Sequence, residues 1–451
     1  MSGGEFNNIA HVVAVNMGYG HERPGHVLRT FATGGKVIVA NDYDGIPESD
    51  RAIWQTGQVW YERISRFKKI PLVGSAVFGV MDELQRIPPF YPRRDLSAPT
   101  LQLRQLYYLI REKGLMRDLM ERLSIDPKPL VGTYMSVAFA AEEYGYPEEI
   151  FTLVTDADMS RAWCPMNPKR TRIRYFAPTG RVAERLQLYG VPEKNIELTG
   201  FPLPTNLIGG EDAPLTLKAL ERRICNLDPQ GIFVGHTGQA LTAHLGPQYC
   251  ESIKRSKAKT ITIAFAVGGA GAQKEIGVTI AKSLRAHIRS GAVRLHLIAG
   301  TRPEVAEYFR TSLKNMGLGT MLKEGKVNVL FEANRPAYFD AFTALMGETD
   351  ILWTKPSELS FYTGLGIPII MAPTVGSQEQ FNRQWLTQIG GGMDQQDPRY
   401  ANEWLMDWVR SGALARAAWN GYMEAPTHGA YRIADILLGR PNTIHELPLV
   451  V

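Results

Sequence analysis

The chain has 451 residues, of which 44% are hydrophobic and 21% are charged, and its formal net charge is +5. This composition is that of a globular protein, which excludes a disordered tail, a collagen-like fibre and a coiled coil. The small excess of positive charge suits a protein that handles anions and gives no argument for nucleic-acid binding. At about 150 residues per domain, the length predicts two large domains or three smaller ones.

The cysteines and the apolar runs indicate in which cellular compartment the protein is expected. Cys164, Cys225 and Cys250 are far apart and match neither a disulfide framework nor a CxxC metal pair, so we expect a cytoplasmic protein without a metal site. The N-terminal residues lack the pattern of a signal peptide. The longest apolar run, Ile70–Met81, is shorter than the about 20 residues that a transmembrane helix needs.

Short runs rich in β-branched residues alternate with helical patterns along the chain. The predicted strands, in order, are HVVAVN (His11–Asn16), KVIVAND (Lys36–Asp42), KPLVGTY, EEIFTLVTD, ELTGFP, KTITIAFAVGG, VRLHLIAG, KVNVLFEA, ILWTK and PIIMAP. Helical patterns lie between most of them, for example at Leu101–Leu123 and Lys274–Ser290. Strands that alternate with helices predict parallel sheets covered on both faces.

The alternation of predicted strands and helices begins twice along the chain. The first series ends near Pro202 and is followed by Pro204–Leu215, which has the composition of a linker, and the second series opens with a glycine-rich turn at Val267–Ala272. The predicted fold class is therefore α/β, with two doubly wound, Rossmann-like domains, 1–205 and 206–451, facing each other across a cleft. Such sheets bind ligands at the carboxyl ends of their strands.

Two motifs of the first domain carry candidate catalytic groups. After the first strand, Gly18 and Gly20 allow a tight turn that carries His21, which could take a proton from a hydroxyl or could hydrogen-bond the loop. After a later strand, Asp156 could orient His21, hold an acceptor hydroxyl or cap a helix. The sequence leaves these alternatives open.

The second domain carries a candidate phosphate site. A strand runs directly into Gly268, Gly269, Ala270, Gly271 and Ala272, and a helix follows. Small residues there expose backbone N–H groups and the positive end of the helix, which suits a phosphate. A close crossing of the strand and the helix would also require glycines.

Polar residues follow three further strand ends of the second domain. They are Glu332, Asn334 and Arg335; then Thr354, Lys355, Ser357 and Glu358; then Gly376, Ser377, Gln378, Glu379 and Asn382. A carboxylate can accept two ribose hydroxyls, and lysine, hydroxyl and N–H groups can hold phosphate oxygens. The cluster therefore predicts a site for a ribose and a diphosphate.

A membrane contact is a further candidate. Basic and aromatic residues, among them Trp60 and Lys69, precede the apolar residues that end at Met81, and Pro168–Tyr175 adds positive charge. This pattern suits an anionic membrane surface at Trp60–Met81. A solvated face beside a buried helix is the alternative.

Several of these motifs together resemble the GT-B glycosyltransferases of family 28, which include monogalactosyldiacylglycerol synthase and the N-acetylglucosaminyltransferase that completes lipid II. The matching segments are Gly18-Tyr19-Gly20-His21, Val154-Thr155-Asp156, Phe176–Leu203, Phe331-Glu332-Ala333-Asn334, Thr354-Lys355 and Gln378–Asn382. The resemblance spans most of the chain and is weakest at residues 48–127 and 208–258.

The resemblance implies an inverting hexosyltransferase that needs no cofactor and moves a sugar from a UDP-linked donor to a lipid or surface-glycan precursor. It implies His21 as the base, with Asp156 as a second catalytic residue. It also implies that a C-terminal helix near Tyr431–Leu438 packs on the first domain. The implied donor-binding residues are Gly20, Gly268, Gly269, Ala270, Gly271, Phe331, Glu332, Asn334, Thr354, Lys355, Ser357, Glu358, Gly376, Ser377, Gln378 and Glu379.

Two departures from the family pattern concern the donor. Pro204 stands where the family has an arginine, and the segment SFYTGLGIP lacks the family's ribose carboxylate, for which Glu358 could substitute. Two other functions remain open at this stage: an enzyme like the nonhydrolysing UDP-N-acetylglucosamine 2-epimerase, and a non-catalytic protein that binds a sugar nucleotide.

Overall fold

The computed structural model describes residues 8–56, 87–249, 260–266, 268, 271, 273–374 and 376–441. These residues divide into two compact units. The first unit holds the described residues of 8–202, 376–381 and 428–441, and the second holds those of 203–374 and 382–427. Each unit is built on one six-stranded sheet.

All neighbouring strands of the first sheet are parallel, in the order β2-β1-β3-β4-β5-β6. The strands are β1 (His11–Ala14), β2 (Ile38–Val39), β3 (Leu130–Gly132), β4 (Ile150–Leu153), β5 (Arg174–Ala177) and β6 (Ile196–Leu198). Val13 and Val12 of β1 enter two different hydrophobic clusters, so both faces of the sheet are covered. This explains why the strands are continuously apolar rather than alternating.

Helices cover the first sheet. Those that precede the second unit are α1 (Tyr19–Leu28), α2 (Leu101–Lys113), α3 (Arg117–Leu123), α4 (Met135–Glu143) and α5 (Gly180–Leu188). The long helix predicted over residues 101–123 is two helices, because Gly114 adopts φ 74° and caps the first of them. A glycine in the left-handed conformation ends a helix without a steric penalty.

The second sheet is also parallel throughout, in the order β12-β11-β10-β7-β8-β9. Its strands are β7 (Ile261–Ala266), β8 (Val293–Gly300), β9 (Val327–Phe331), β10 (Ile351–Thr354), β11 (Ile369–Met371) and β12 (Gly392–Asp394). Trp353 of β10 is fully buried, and its ring packs edge-on against Phe265 of β7 and Trp404. This aromatic cluster fixes the two central strands against one core.

Helices flank the second sheet as well. They are α6 (Thr205–Ile208), α7 (Pro214–Leu227), α8 (Ile232–Leu245), α9 (Lys274–Ser283), α10 (Arg285–Ser290), α11 (Pro303–Asn315), α12 (Gly319–Lys323), α13 (Arg335–Glu348), α14 (Ser377–Gln388), α15 (Ala401–Arg410) and α16 (Ala413–Glu424). The segment predicted as a linker, Pro204–Leu215, thus contains a helix and the start of another.

A last helix, α17 (Gly429–Leu437), belongs to the first unit. Its residues Ile433 and Ala434 join the cluster that contains Val12 of β1. Arg432 is buried and donates a hydrogen bond to the carbonyl oxygen of Thr199 at 3.2 Å. The first sheet is therefore covered in part by a helix from the other end of the chain.

The predicted α/β class with two doubly wound, Rossmann-like sheets, as in the GT-B fold, is confirmed. The predicted domain bounds and the cleft between the domains stay predictions. Two strands were missed. The residues of β5 read as part of a basic surface, but Arg174 forms ion pairs with Glu149 at 2.7 Å and with Glu197 of β6 at 2.5 Å. Strand β12 has only three residues, of which one is glycine and one aspartate.

The bonding of the cysteines differs in part from what their spacing in the sequence predicted. Cys164 is a free thiol in the first unit, and burial raises its pKa to about 12. Cys225 is disulfide-bonded, so the prediction of a chain without a disulfide is wrong. The spacing of cysteines in a sequence does not report which of them the fold brings together.

Candidate functional site

His21 lies in the first turn of α1, at the carboxyl edge of the first sheet. Strand β1 ends at Ala14, and Gly18 precedes the helix with φ 125°, a conformation that suits glycine. Gly20 and His21 follow directly, and both are half-buried. The tight turn therefore brings the imidazole to the edge where this fold binds ligands.

The hydrogen bonds of the imidazole define its tautomer. The Nδ1 atom of His21 lies 3.2 Å from the carbonyl oxygen of Thr133, which follows β3, and 3.3 Å from the hydroxyl of Thr155, which follows β4. A carbonyl oxygen only accepts hydrogen bonds, so Nδ1 must carry the proton. In the neutral ring, Nε2 then keeps its lone pair and can accept a proton.

Thr133 also holds the backbone of His21. Its hydroxyl donates to the carbonyl oxygen of His21 at 2.5 Å. The rings of Tyr134 and Trp163 lie 4.8 Å and 6.0 Å from the imidazole, the first of them edge-on. Trp163 is buried, so the ring of His21 is held against a packed aromatic wall rather than in open solvent.

Asp156 lies in the bend that follows β4 and is half-buried. It comes directly after Thr155, whose hydroxyl lies near the imidazole. The role predicted for Asp156, to orient His21, stays a prediction. The tautomer of His21 has an explanation that requires no carboxylate, because the carbonyl oxygen of Thr133 fixes it.

The loop that holds Asp156 is anchored by a buried ion pair. Two nitrogen atoms of Arg185 on α5 donate to the two carboxylate oxygens of Asp158 at 2.8 Å and 2.7 Å. Both side chains are almost fully buried, at 0% and 3% exposure, and burial raises the pKa of Asp158. Arg185 also donates to the carbonyl oxygen of Pro88 at 2.9 Å.

In the second unit, Lys355 lies directly against Gly268. Lys355 follows β10, and Gly268 lies just beyond β7, the neighbouring strand. A Cβ atom at Gly268 would lie 2.6 Å from Cε of Lys355 and 3.4 Å from its Nζ. The absence of a side chain at Gly268 is therefore what allows the ammonium group to lie over this turn.

Two hydrogen bonds hold the other end of the turn, and Arg302 lies close to it. The N–H of Gly271, which has φ 69°, donates to the carbonyl oxygen of Gly268 at 2.7 Å. A Cβ atom at Gly271 would lie 3.3 Å from Cδ of Arg302, which follows β8. Gln273 precedes α9 and donates from Nε2 to the carbonyl oxygen of Pro373 at 2.8 Å, which links this turn to the segment after β11.

The predicted residues that follow β10 are buried or half-buried. The hydroxyl of Thr354 donates to the carbonyl oxygen of Ala266 at 3.4 Å, and Thr354 is buried. Ser357 is half-buried and immediately precedes the 3-10 helix Glu358–Leu365. Glu358 itself is 7% exposed. Of this group, Lys355 has the clearest geometric relation to the glycine turn.

The residues after β9 lie at the same edge of the second sheet. Phe331 and Glu332 are half-buried, and the N–H of Glu332 donates to the carbonyl oxygen of Gly300 at 3.1 Å. Asn334 is exposed and caps α13, because its side chain accepts from the N–H of Ala337 at 2.9 Å. The structure thus gives Asn334 a local role as a helix cap.

Of the predicted residues, Gly376 immediately precedes α14, and Ser377, Gln378 and Glu379 form the start of this helix. Gln378 is half-buried and Glu379 is 9% exposed. These residues belong to the first unit, whereas Gly268, Lys355 and Glu358 belong to the second. A contribution of α14 to a nucleotide site stays a prediction.

Some of the predicted residues lie outside the part of the chain that the structure describes. They are Gly269, Ala270, Ala272, the side chain of Ser377 and the membrane-contact segment Trp60–Met81. Within the described ranges, no group of three or more His, Cys, Asp or Glu residues could hold a metal ion. Among the described helices, none is long and apolar enough to cross a membrane.

Sequence reasoning missed two residues. The role of Thr133 rests on its carbonyl oxygen, which every residue has, so no pattern could have indicated it. Arg302 follows its strand within two residues of Gly300 and could have been found by the rule that identified Lys355.

No protein-family model and no curated protein sequence matches the chain. The chain is similar to solved structures of several kinds, among them these three. The glycotransferase of kitacinnamycin is 16% identical, with a TM-score of 0.48 and coverage of 95% of this chain and 98% of that chain. MurG of Acinetobacter baumannii is 13% identical, with a TM-score of 0.44 and coverage of 95% and 99%.

The third is an epimerase. UDP-GlcNAc 2-epimerase from Neisseria meningitidis, bound to UDP-GlcNAc, is 15% identical, with a TM-score of 0.36 and coverage of 72% of this chain and 80% of that chain. Because each TM-score is below 0.5, these likenesses identify neither the family nor the reaction of this chain.

Proposed function

We propose that the chain is an inverting glycosyltransferase of family 28 that moves a sugar from a UDP-linked donor to a lipid or surface-glycan precursor. The second unit holds the donor, and His21 of the first unit takes the proton of the acceptor hydroxyl. The observation that supports the proposal is the tautomer of His21, because the contact of Nδ1 with the carbonyl oxygen of Thr133 puts the lone pair of the neutral ring on Nε2.

The donor assignment draws on the turn between Gly268 and Gly271. Lys355 lies against Gly268, and the ammonium group can pair with phosphate oxygens. Glu358 of the same unit is the proposed partner of the ribose hydroxyls. The choice of UDP rests on the motifs shared with family 28, and the geometry supports only the anionic part of the donor.

Inverting transfer requires one displacement at the anomeric carbon. The acceptor oxygen forms a bond to that carbon, the bond to the diphosphate breaks, and the electron pair leaves with UDP. The acceptor hydroxyl loses its proton as it attacks, and Nε2 of His21 accepts it. A neutral ring that already carries its proton on Nδ1 is in the tautomer that this step requires.

The acceptor is proposed on the sequence alone. The basic and aromatic residues of Trp60–Met81 and the exposed Lys169, Arg170 and Arg172 suit a lipid acceptor presented at the cytoplasmic face of an anionic membrane. A cytoplasmic enzyme that binds this surface peripherally is the corresponding location.

The experiment is to incubate the full chain with a panel of nucleotide sugars, with and without membrane lipids, and to analyse the products by mass spectrometry and by NMR, which distinguishes isomers of equal mass. The proposal predicts a new glycoside that forms only when an acceptor lipid or glycan precursor is present. An isomeric sugar nucleotide would identify an epimerase instead. Binding of a sugar nucleotide without any product would identify a non-catalytic binding protein.

A further inference from the structure

We infer that Arg302 is a second cation of the donor site, and that it binds the diphosphate from the side of the turn opposite Lys355. The inference rests on the proposed function, since it assigns a residue to the site that holds the nucleoside diphosphate. The sequence motifs did not point to Arg302.

The strand order places the two cations on either side of one turn. In the second sheet, β7 lies between β10 and β8. Lys355 follows β10, the turn of Gly268 and Gly271 follows β7, and Arg302 follows β8. The carboxyl ends of neighbouring parallel strands lie at the same edge of a sheet, so the three features stand side by side.

The contacts of the two glycines make this arrangement specific. Cε of Lys355 would lie 2.6 Å from a Cβ atom at Gly268, and Cδ and Nε of Arg302 would lie 3.3 Å and 3.9 Å from one at Gly271. The two glycines are joined by the hydrogen bond from the N–H of Gly271 to the carbonyl oxygen of Gly268 at 2.7 Å. One cationic side chain therefore lies beside each of the two glycines.

The position of Arg302 suits the binding of an anion. It immediately precedes α11, so its side chain starts at the positive end of a helix of 13 residues. Arg302 forms an ion pair with Glu304 at 3.4 Å, and the two side chains are 35% and 60% exposed. An ion pair that is so open to solvent is weak, so this contact does not prevent the guanidinium from binding a phosphate.

The chemistry favours a diphosphate over a single phosphate. A nucleoside diphosphate carries more than one negative charge, and Lys355 alone offers one positive charge. Guanidinium groups bind two oxygens of a phosphate in parallel, whereas an ammonium group acts as a point charge. Two different cations on the two sides of one turn therefore match two adjacent phosphates.

The test is calorimetric titration of the full chain with inorganic pyrophosphate and with UDP. We expect Arg302→Ala and Arg302→Gln to bind both ligands about tenfold more weakly than the wild type, because each loses one charge-assisted interaction. Arg302→Lys should recover part of the affinity. The matched control is Arg285→Ala, which removes an exposed positive charge of the same unit and should leave both affinities unchanged.

The outcomes separate this inference from the proposed function. Unchanged affinity for both ligands in the folded Arg302 variants would overturn the inference and leave UDP binding by the wild type intact. Pyrophosphate binding that depends on Arg302, without binding of UDP, would uphold the inference and count against the proposed donor. A wild type that binds neither ligand would overturn both.

Discussion

The Nδ1 atom of His21 lies 3.2 Å from the carbonyl oxygen of Thr133, and this distance decides which nitrogen of the imidazole can act as a base. Many enzymes use a carboxylate to hold a catalytic histidine in its tautomer. In this chain a backbone carbonyl oxygen fixes the tautomer of His21, and the hydroxyl of the same threonine holds the backbone of His21. The two bonds fix the ring and its helix to one strand end.

The first prediction concerns His21. General-base catalysis contributes about 10²–10⁴-fold, so His21→Ala should lower kcat at least about 100-fold. Binding of UDP, measured by calorimetry, should be unchanged, because the proposed donor site lies in the second unit. His26→Ala changes another half-buried histidine of α1 and serves as the control, with kcat close to that of the wild type. Near-normal turnover of His21→Ala would remove His21 from the mechanism.

The second prediction concerns Gly268. An added methyl group would lie 2.6 Å from Cε of Lys355, so Gly268→Ala should displace the flexible end of the lysine and weaken UDP binding, by at most the about 1.5–3 kcal/mol of one charge-assisted hydrogen bond. In a Lys355→Ala background the same change should cost little further affinity, since the displaced group is already absent. Gly235→Ala, where no atom lies within 4 Å of the added carbon, is the control. Equal losses in both backgrounds would disprove the coupling between Gly268 and Lys355.

The third prediction concerns the buried pair of Arg185 and Asp158. Arg185→Ala leaves a buried carboxylate without its cation and should lower the free energy of unfolding by about 3–5 kcal/mol. The double variant Arg185→Met with Asp158→Leu should lose less, because no charge remains buried. These values are read from denaturant unfolding of the full chain.

A matched control for this pair lies on the same helix. Glu184 forms an ion pair with Arg93 at 3.0 Å, and the two side chains are 36% and 58% exposed. Glu184→Ala should cost less than about 1 kcal/mol. If Glu184→Ala and Arg185→Ala were equally destabilising, the argument from burial would fail.

The fourth prediction concerns the dependence of stability on pH. His296 of β8 is 9% exposed, its Nε2 has no hydrogen-bond partner within the described ranges, and burial lowers its pKa from 6.5 to about 4. As pH falls from 6.5 towards 4, the unfolded chain gains a proton that the folded chain does not. His296 should therefore reduce the free energy of unfolding by about 3 kcal/mol over this range.

The measurement is the free energy of unfolding of the full chain at several pH values between 7 and 4. In His296→Leu, the free energy of unfolding should decrease less steeply as the pH is lowered, whether or not the substitution changes the stability at pH 7. His236→Gln, which changes an exposed histidine, should retain the slope of the wild type. An unchanged slope in His296→Leu would show that His296 does not couple folding to protons.

The sequence predicted the strands that are both buried and flanked by turn residues. It could not reveal β5, because Arg174 is read as a surface charge until the positions of Glu149 and Glu197 on either side are known. It placed Lys355 at a strand end correctly. It could not show that Lys355 lies on Gly268, since that contact depends on which strands become neighbours.

The candidate site also contains features that the sequence could predict and contacts that it could not. The glycine turn that carries His21 follows from local sequence, because such turns require glycine. One partner of His21 is a carbonyl oxygen at the end of another strand, and backbone groups leave no mark in the pattern of side chains. Arg302 is different, because its position after a strand is visible in the sequence and only its relation to Gly271 required the structure.

The most direct test of the central claim is the anomeric configuration of the product, determined by NMR after incubation of the full chain with UDP-sugars and membrane lipids. A single displacement assisted by His21 predicts a glycoside whose anomeric configuration is opposite to that of the sugar in the donor. The same reaction with His21→Ala should yield at least about 100-fold less of it in the same time. A glycoside that retains the donor's configuration, or no glycoside with any donor, would contradict the account.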